Sequence, residues 1–320
     1  MLRCFALMLA VLPFSGFAQD TASGALALAA QPAAAPVHRM AGSSPGSPNP
    51  KISGATHLRP LGFVPDLLFD GERDSLGATA LNRNETTVQN YRVAEGTKAY
   101  QLTIGQGVYW SWGGEIPWPR TLVKGETVHF QGSFYFPSAT FDWTSNGEGA
   151  HLKFLRFRTE SASGANEGYQ DIYIDNAWAS GPARDGHLKH IFEGSAAWTD
   201  SGVNLAKDRW ETIEFQVTFD DVPVDAGGQG RVRLWRYNGN QMQLILDITD
   251  RKTLVSPTSV AVLMYVFSYW NGGSPQNNVM QADRLVLQFD QSRLVETDAQ
   301  GNKIIGGVGA AGALFRDGFE

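Results

Sequence analysis

The sequence predicts an all-β protein, a two-sheet antiparallel sandwich of jelly-roll type, and three observations carry that prediction. First, apolar residues alternate with polar ones at period two through many short segments. Second, turn dipeptides separate those segments: Gly113-Gly114, Asn146-Gly147, Gly227-Gly228, Asn238-Gly239 and Gly272-Gly273. Third, no window of helical length carries a 3.6-residue apolar stripe free of Gly or Pro.

The alternation can be followed strand by strand. In Val128 to Phe136, Phe130, Phe134 and Phe136 oppose His129, Gln131, Ser133 and Tyr135. In Asp171 to Asp175, Ile172 and Ile174 oppose Asp171, Tyr173 and Asp175. Glu211 to Phe219 sets Ile213, Phe215, Val217 and Phe219 against Thr212, Glu214, Gln216 and Thr218. Arg231 to Tyr237 sets Val232 and Leu234 against Arg231, Arg233, Trp235 and Tyr237. Such patterns predict one buried and one wet face per strand.

The flanks read differently. Residues 1–18 combine the basic start Met1-Leu2-Arg3, an apolar run and the small-residue site Gly16-Phe17-Ala18, which predicts a cleaved signal peptide and a secreted or periplasmic protein. The one cysteine, Cys4, lies inside that segment, so disulfides, thiol nucleophiles and cysteine metal sites are excluded from the processed chain. Residues 19–58 are rich in Ala, Pro and Ser and predict a disordered leader. The sandwich is assigned to 59–292, and 293–320 is expected to be a flexible tail. A net charge of −6 argues against nucleic-acid binding, and no later stretch approaches the roughly 20 apolar residues of a membrane span. The chain is expected to be a monomer.

Three constellations could carry chemistry. His151-Leu152-Lys153-Phe154-Leu155-Arg156-Phe157-Arg158 concentrates positive charge in an acidic protein and suits carboxylate or sulfate groups. On a regular strand Arg156 and Arg158 would share one face and His151 and Lys153 the other, so only a bulge near Phe154-Leu155 brings them together. The rival reading pairs these charges with Asp171, Asp175 or Glu160. Tyr265 and Tyr269 share a strand face, with Phe267 between them. Trp110, Trp112 and Trp118 form an aromatic stretch suited to stacking on sugar rings, or to closing the sandwich edge. HExxH, GxSxG and phosphate-loop patterns are absent, as is the E-x-D-x-E pattern of jelly-roll glucanases.

The order Phe134-Tyr135-Phe136-Pro137 with Phe141-Asp142, then the 151–158 strand, then Phe267-Ser268-Tyr269-Trp270-Asn271-Gly272-Gly273-Ser274 resembles the concanavalin A-like polysaccharide lyases, in particular alginate and glucuronan lyases. Arg158-Thr159-Glu160 runs on into Ser161-Ala162, where the family has R-[ST]-E-L-R. No Gln-[Ile/Val]-His segment occurs, and no lysine separates Tyr265 from Tyr269.

The resemblance implies β-elimination on a uronic-acid polymer. Arg156 or Arg158, assisted by Lys153, would neutralise the carboxylate; His129 or His151 would serve as base; Tyr269 or Tyr265 would supply the acid. Tyr135, Gln131, Tyr173 and the tryptophans would contact the substrate. The alternative is a non-catalytic carbohydrate-binding or surface sandwich, with a glycoside hydrolase third. No organic cofactor is indicated; calcium could be held by loop carboxylates such as Asp70, Glu72 and Asp283.

Overall fold

The computed structural model describes residues 57–73, 81, 86–108, 113–143, 152–175, 186–195 and 197–309. The segments expected to be a signal peptide and, before His57, a leader, the stretch from 310 onward, Trp110, Trp112 and His151 lie outside the described residues. The chain passes first through β1 (Leu67–Phe69), β2 (Thr86–Gln89), β3 (Ala99–Ile104), β4 (Gly114–Leu122) and β5 (Thr127–Tyr135). It continues through β6 (Leu152–Glu160), β7 (Asn166–Asp175), β8 (His187–Phe192), β9 (Ala197–Asn204) and β10 (Trp210–Thr218). Then follow β11 (Arg231–Tyr237), β12 (Met242–Ile248), β13 (Val260–Trp270), β14 (Asn278–Gln288), β15 (Glu296–Thr297) and β16 (Lys303–Ile304). Helical structure among the described residues is limited to two 3₁₀ turns, Val224–Ala226 and Gln291–Arg293. None of it is long and apolar enough to cross a membrane.

Two large antiparallel sheets result. The first runs β12-β11-β10-β5-β14-β3-β2, with β1 added on β14; the second runs β4-β13-β6-β7-β8-β9. The predicted all-β sandwich is what forms. Alternation explains the core between the sheets: Phe130 and Phe134 from β5 and Phe215 from β10 meet Phe154 and Phe157 from β6 and Phe267 from β13. Phe157 stacks on Phe215 with centroids 4.6 Å apart, and Phe134 meets Phe154 edge-on at 4.7 Å. Each such ring contributes about 1.5–3 kcal/mol through burial.

The outer face of β5 departs from the expected wet side: all nine residues of this strand are buried. The cover comes from residues 57–61 and 289–309, which cross the first sheet as a strap. Ile304 and Val308 pack on Trp235 and Met242, and Leu294 and Ile305 pack on Val286. Polar groups tie the strap down. Ile305 N donates to Glu214 Oε1 at 2.8 Å, Gln131 Nε2 to the Gly306 carbonyl at 2.9 Å, and Arg284 Nη1 to the Gly307 carbonyl at 2.9 Å. The segment beginning at 293 was expected to be a flexible tail; through Gly309 it is packed structure, because Leu294, Ile304, Ile305 and Val308 bury apolar area there. His57 and Leu58, assigned to the leader, also belong to the fold. Leu58 bridges Val308, and His57 stacks on Tyr237 at 4.3 Å.

Candidate functional site

The outer face of the second sheet gathers most of the described basic and tyrosine side chains singled out in the sequence, and two irregularities shape it. Opposite β7, β6 shifts register between Lys153 and Leu155; opposite β6, β13 shifts between Val266 and Tyr269. The first lies at Phe154-Leu155, where a bulge could bring Lys153 to the face of the arginines. Phe154 and Leu155 both turn into the core, which leaves Lys153, Arg156 and Arg158 on one side. The second turns Phe267 inward as well. It adopts φ 49 and packs against Phe134 and Phe154, so it does not lie between the tyrosines on their face, as strict alternation would have it.

Together the bulges align cross-strand rows. Tyr269, Lys153, Tyr173 and Lys189 are successive register partners on β13, β6, β7 and β8. Tyr265, Arg156 and Asp171 form the next row, with Glu115 of β4 beyond Tyr265. The Lys153 ammonium lies 5.3 Å from the Tyr269 ring centroid and 5.7 Å from that of Tyr173, and Trp198 meets Tyr173 edge-on at 4.9 Å. The Arg156 guanidinium covers Tyr169 at 3.6 Å, and Tyr169 lies 6.1 Å from Tyr265.

The charges are compensated. Arg156 Nε donates to Asp171 Oδ1 at 2.8 Å and its Nη2 to Glu193 Oε1 at 3.0 Å, while Lys153 Nζ donates to the same Glu193 oxygen at 2.5 Å. Arg158 pairs with Glu160 at 2.8 Å, and, against burial, Tyr265 is among the groups that raise its pKa. The strip is therefore a set of ion pairs rather than an uncompensated cationic groove. Asp171 and Glu160 were foreseen as partners; Glu193 was not. With its fork occupied and only 6% of its surface exposed, Arg156 is placed to orient its neighbours rather than to receive a substrate carboxylate.

Titration follows the same geometry. Burial lifts Asp171 to about 7, with Arg156 opposing and Glu193 adding to the rise. Glu193 is also penalised by burial, yet Lys153 and Arg156 hold it below the usual carboxylate range. Burial raises Tyr173, and Asp171 and Glu193 raise it further, so its hydroxyl stays protonated as a donor. Tyr265 is likewise raised by burial and by Glu115, with Arg158 opposing.

The remaining predicted residues fall elsewhere. His129, Gln131 and Tyr135 lie on β5 in the first sheet, and the sandwich core separates that strand's outer face from the tyrosine face. His129 is 0% exposed, with Nδ1 3.2 Å from Glu214 Oε1, and Gln131 is sealed beneath Gly306. Tyr135 lies under the Arg92 guanidinium at 4.2 Å and beside Trp210 at 5.6 Å. The assignments of His129 as base and of Gln131 and Tyr135 as substrate contacts in this groove are thereby corrected, because alternation cannot reveal which sheet a strand joins. Trp118 is a core residue, 8% exposed and packed on Phe157 at 5.5 Å and Phe289 at 5.4 Å. It closes the sandwich and does not present an indole face to sugar.

Asp70 caps its own turn through Glu72 N and Arg73 N, while Glu72 accepts from Thr97 N and Lys98 N. Asp283 accepts from Ala94 N, Glu95 N and Arg284 N. Among the described residues no three His, Cys, Asp or Glu side chains converge as a metal site.

The sequence reading missed Tyr169, Lys189, Glu193 and Trp198. Tyr169 continues the alternation of Asp171 and Tyr173 two residues back, a signal that was available; Glu193 sits in the turn after β8, where no period marks it.

No protein-family model matches the sequence. No curated protein matches it either. Solved structures with a similar fold include the endo-β-1,4-glucuronan lyase of the fungus Trichoderma reesei, at TM-score 0.46 and 12% identity over 72% of this chain and 98% of that one. The marine PL-14 alginate lyase of Aplysia kurodai aligns at TM-score 0.45 and 9% identity over 65% and 88% of the two chains. The cellulose induced protein Cip1 aligns at TM-score 0.42 and 13% identity over 69% and 96%. These are likenesses of fold alone.

Proposed function

We propose that the tyrosine-lined face of the second sheet cleaves an acidic polysaccharide by β-elimination. The observation that carries this reading is the Lys153 ammonium held between Tyr173 and Tyr269 on the outward face. Elimination from a uronate needs a cation or donor on the carboxylate, which acidifies the C5 proton, and a group that moves a proton between C5 and the departing O4. Lys153 supplies the cation once the substrate carboxylate shares it with Glu193. Tyr269 supplies the phenol, and Arg156 with Asp171 keeps Glu193, and through it Lys153, in place.

Incubation with alginate, glucuronan and heparin tests this, because the new C4–C5 double bond absorbs in the ultraviolet. The parent protein gives a rise on at least one polymer, and Tyr269→Phe lowers the rate by about 10²–10⁴-fold with an unchanged unfolding midpoint. Full activity in Tyr269→Phe removes it from the role.

The compensated charges favour a second reading, a carbohydrate-binding face without catalysis. Retained capture of a polyuronate with no ultraviolet rise decides for it.

A further inference from the structure

Resting on the polyuronate reading of the same face, we propose that Lys153 and Lys189 form two carboxylate seats two sugars apart, with Lys189 selecting chains that carry a carboxylate at that spacing. Lys153 of β6 is the register partner of Tyr173 on β7, and Tyr173 is the partner of Lys189 on β8. Direct partners project to the same side of a sheet. The side is the outer one, because Leu152 and Phe154 flank Lys153, and Leu188 precedes Lys189, in the core. Two strand intervals separate the lysines by about 9.6 Å.

The row thus alternates ring, cation, ring, cation from Tyr269 to Lys189. An extended 1,4-linked pyranose chain has a matching rhythm. Successive rings turn over, so substituents on sugars one and three point the same way, and two rings are commensurate with two strand intervals. Sugars one and three place carboxylates at Lys153 and Lys189, while sugar two spans the interval between them with its own substituent directed to solvent. Tyr173, 3% exposed, fills the sheet beneath and is not itself a sugar contact, contrary to the expectation from sequence. Acids already accompany both seats, Glu193 on Lys153 and Asp200 in register with Lys189. A ligand carboxylate therefore joins an existing network, which favours partners of fixed spacing over any diffuse anion.

A homopolymer of uronate and a chain alternating uronate with hexosamine both meet the requirement. The test uses Tyr269→Phe protein, which holds ligands without turning them over, and saturated oligosaccharides of two to five sugars titrated by calorimetry. Affinity is expected to rise about fivefold to tenfold from disaccharide to trisaccharide, the worth of one charge-assisted contact. That step vanishes with Lys189→Ala added and returns with Lys189→Arg. Homo-uronate and alternating oligomers are titrated separately, so the series that shows the step names the source of the carboxylates.

A step that persists in Lys189→Ala overturns the second seat and leaves the polyuronate reading intact. The same Lys189-dependent step with neutral xylo-oligosaccharides overturns carboxylate selection. Absence of binding to every uronate series removes the polyuronate reading and the seats with it.

Discussion

Asp171 offers a sharp test of how this face is balanced. It is wholly buried beneath Arg156 and Tyr173, and the geometry holds its carboxyl at about 7 rather than the ordinary 3.8. The displacement corresponds to about 4 kcal/mol between the two protonation states. A carboxyl raised in the folded state keeps its proton where the unfolded chain has already lost it. The folded state then binds more protons between about pH 4 and 7, and stability falls as pH rises through that window. Asp171→Asn imitates the protonated form and removes the dependence.

The assay is urea unfolding of both proteins, followed by tryptophan fluorescence in steps from about pH 4.5 to 8.5. The parent is expected to lose stability relative to Asp171→Asn by about 3 kcal/mol across that range, since part of the window lies below it. Asp283, also raised to about 7 by burial, contributes the same slope to both proteins and cancels in the difference. If the parent instead gains on the variant as pH rises, Arg156 has outweighed burial and Asp171 is an ordinary paired carboxylate. A flat difference refutes any titration of Asp171 coupled to folding.

Two further outcomes follow from packing. Trp118→Ala is expected to cost about 3–5 kcal/mol in urea unfolding while leaving oligosaccharide affinity unchanged; lost affinity at parental stability would return it to the binding surface. At Gly307, with φ 65, a Cβ would fall 2.0 Å from Arg284 Nη2 and 2.8 Å from Leu61 Cδ2. Gly307→Ala is expected to lower stability by about 3 kcal/mol and to expose the strap to limited proteolysis, and an unaltered cleavage pattern would contradict that tight seat.

The parts of this molecule that were legible in the sequence are those governed by local pattern. The alternation of Phe130, Phe134 and Phe136 fixes the core side of β5, and the spacing of Lys153 and Arg156 marks where a bulge would be needed to put them on one face, which is where one is found. What was hidden is non-local. Nothing in the neighbourhood of His129 says that β5 pairs with β10 and β14 rather than with β6, or that Gly306 and Ile305 lie over it. Phe267 was misplaced because the register shift between Val266 and Tyr269, with Phe267 at positive φ, inverts the parity of Phe267 and Ser268 alone, and Tyr269 regains the face of Tyr265. Ser268 therefore comes within 3.5 Å of Arg156 on the outer face, where alternation would have buried it. Glu193 eluded pattern altogether, being a turn residue whose importance lies in the two cations that converge on it.

The strap has a consequence for how the molecule comes apart. Arg59 N bonds to the Gly307 carbonyl at 3.0 Å, Gly309 N to the His57 carbonyl at 2.8 Å, and Arg59 and Glu296 join side chains across the same seam. The two ends of the described fold are thus each other's fastening. Neither can peel away while the other stays closed, so fraying, which normally begins independently at two loose ends, here becomes one event with a single threshold. That event would also open the buried row of His129, Gln131 and Glu214 to water, which makes the clasp the gatekeeper of the sheet that the tyrosine face depends on for support.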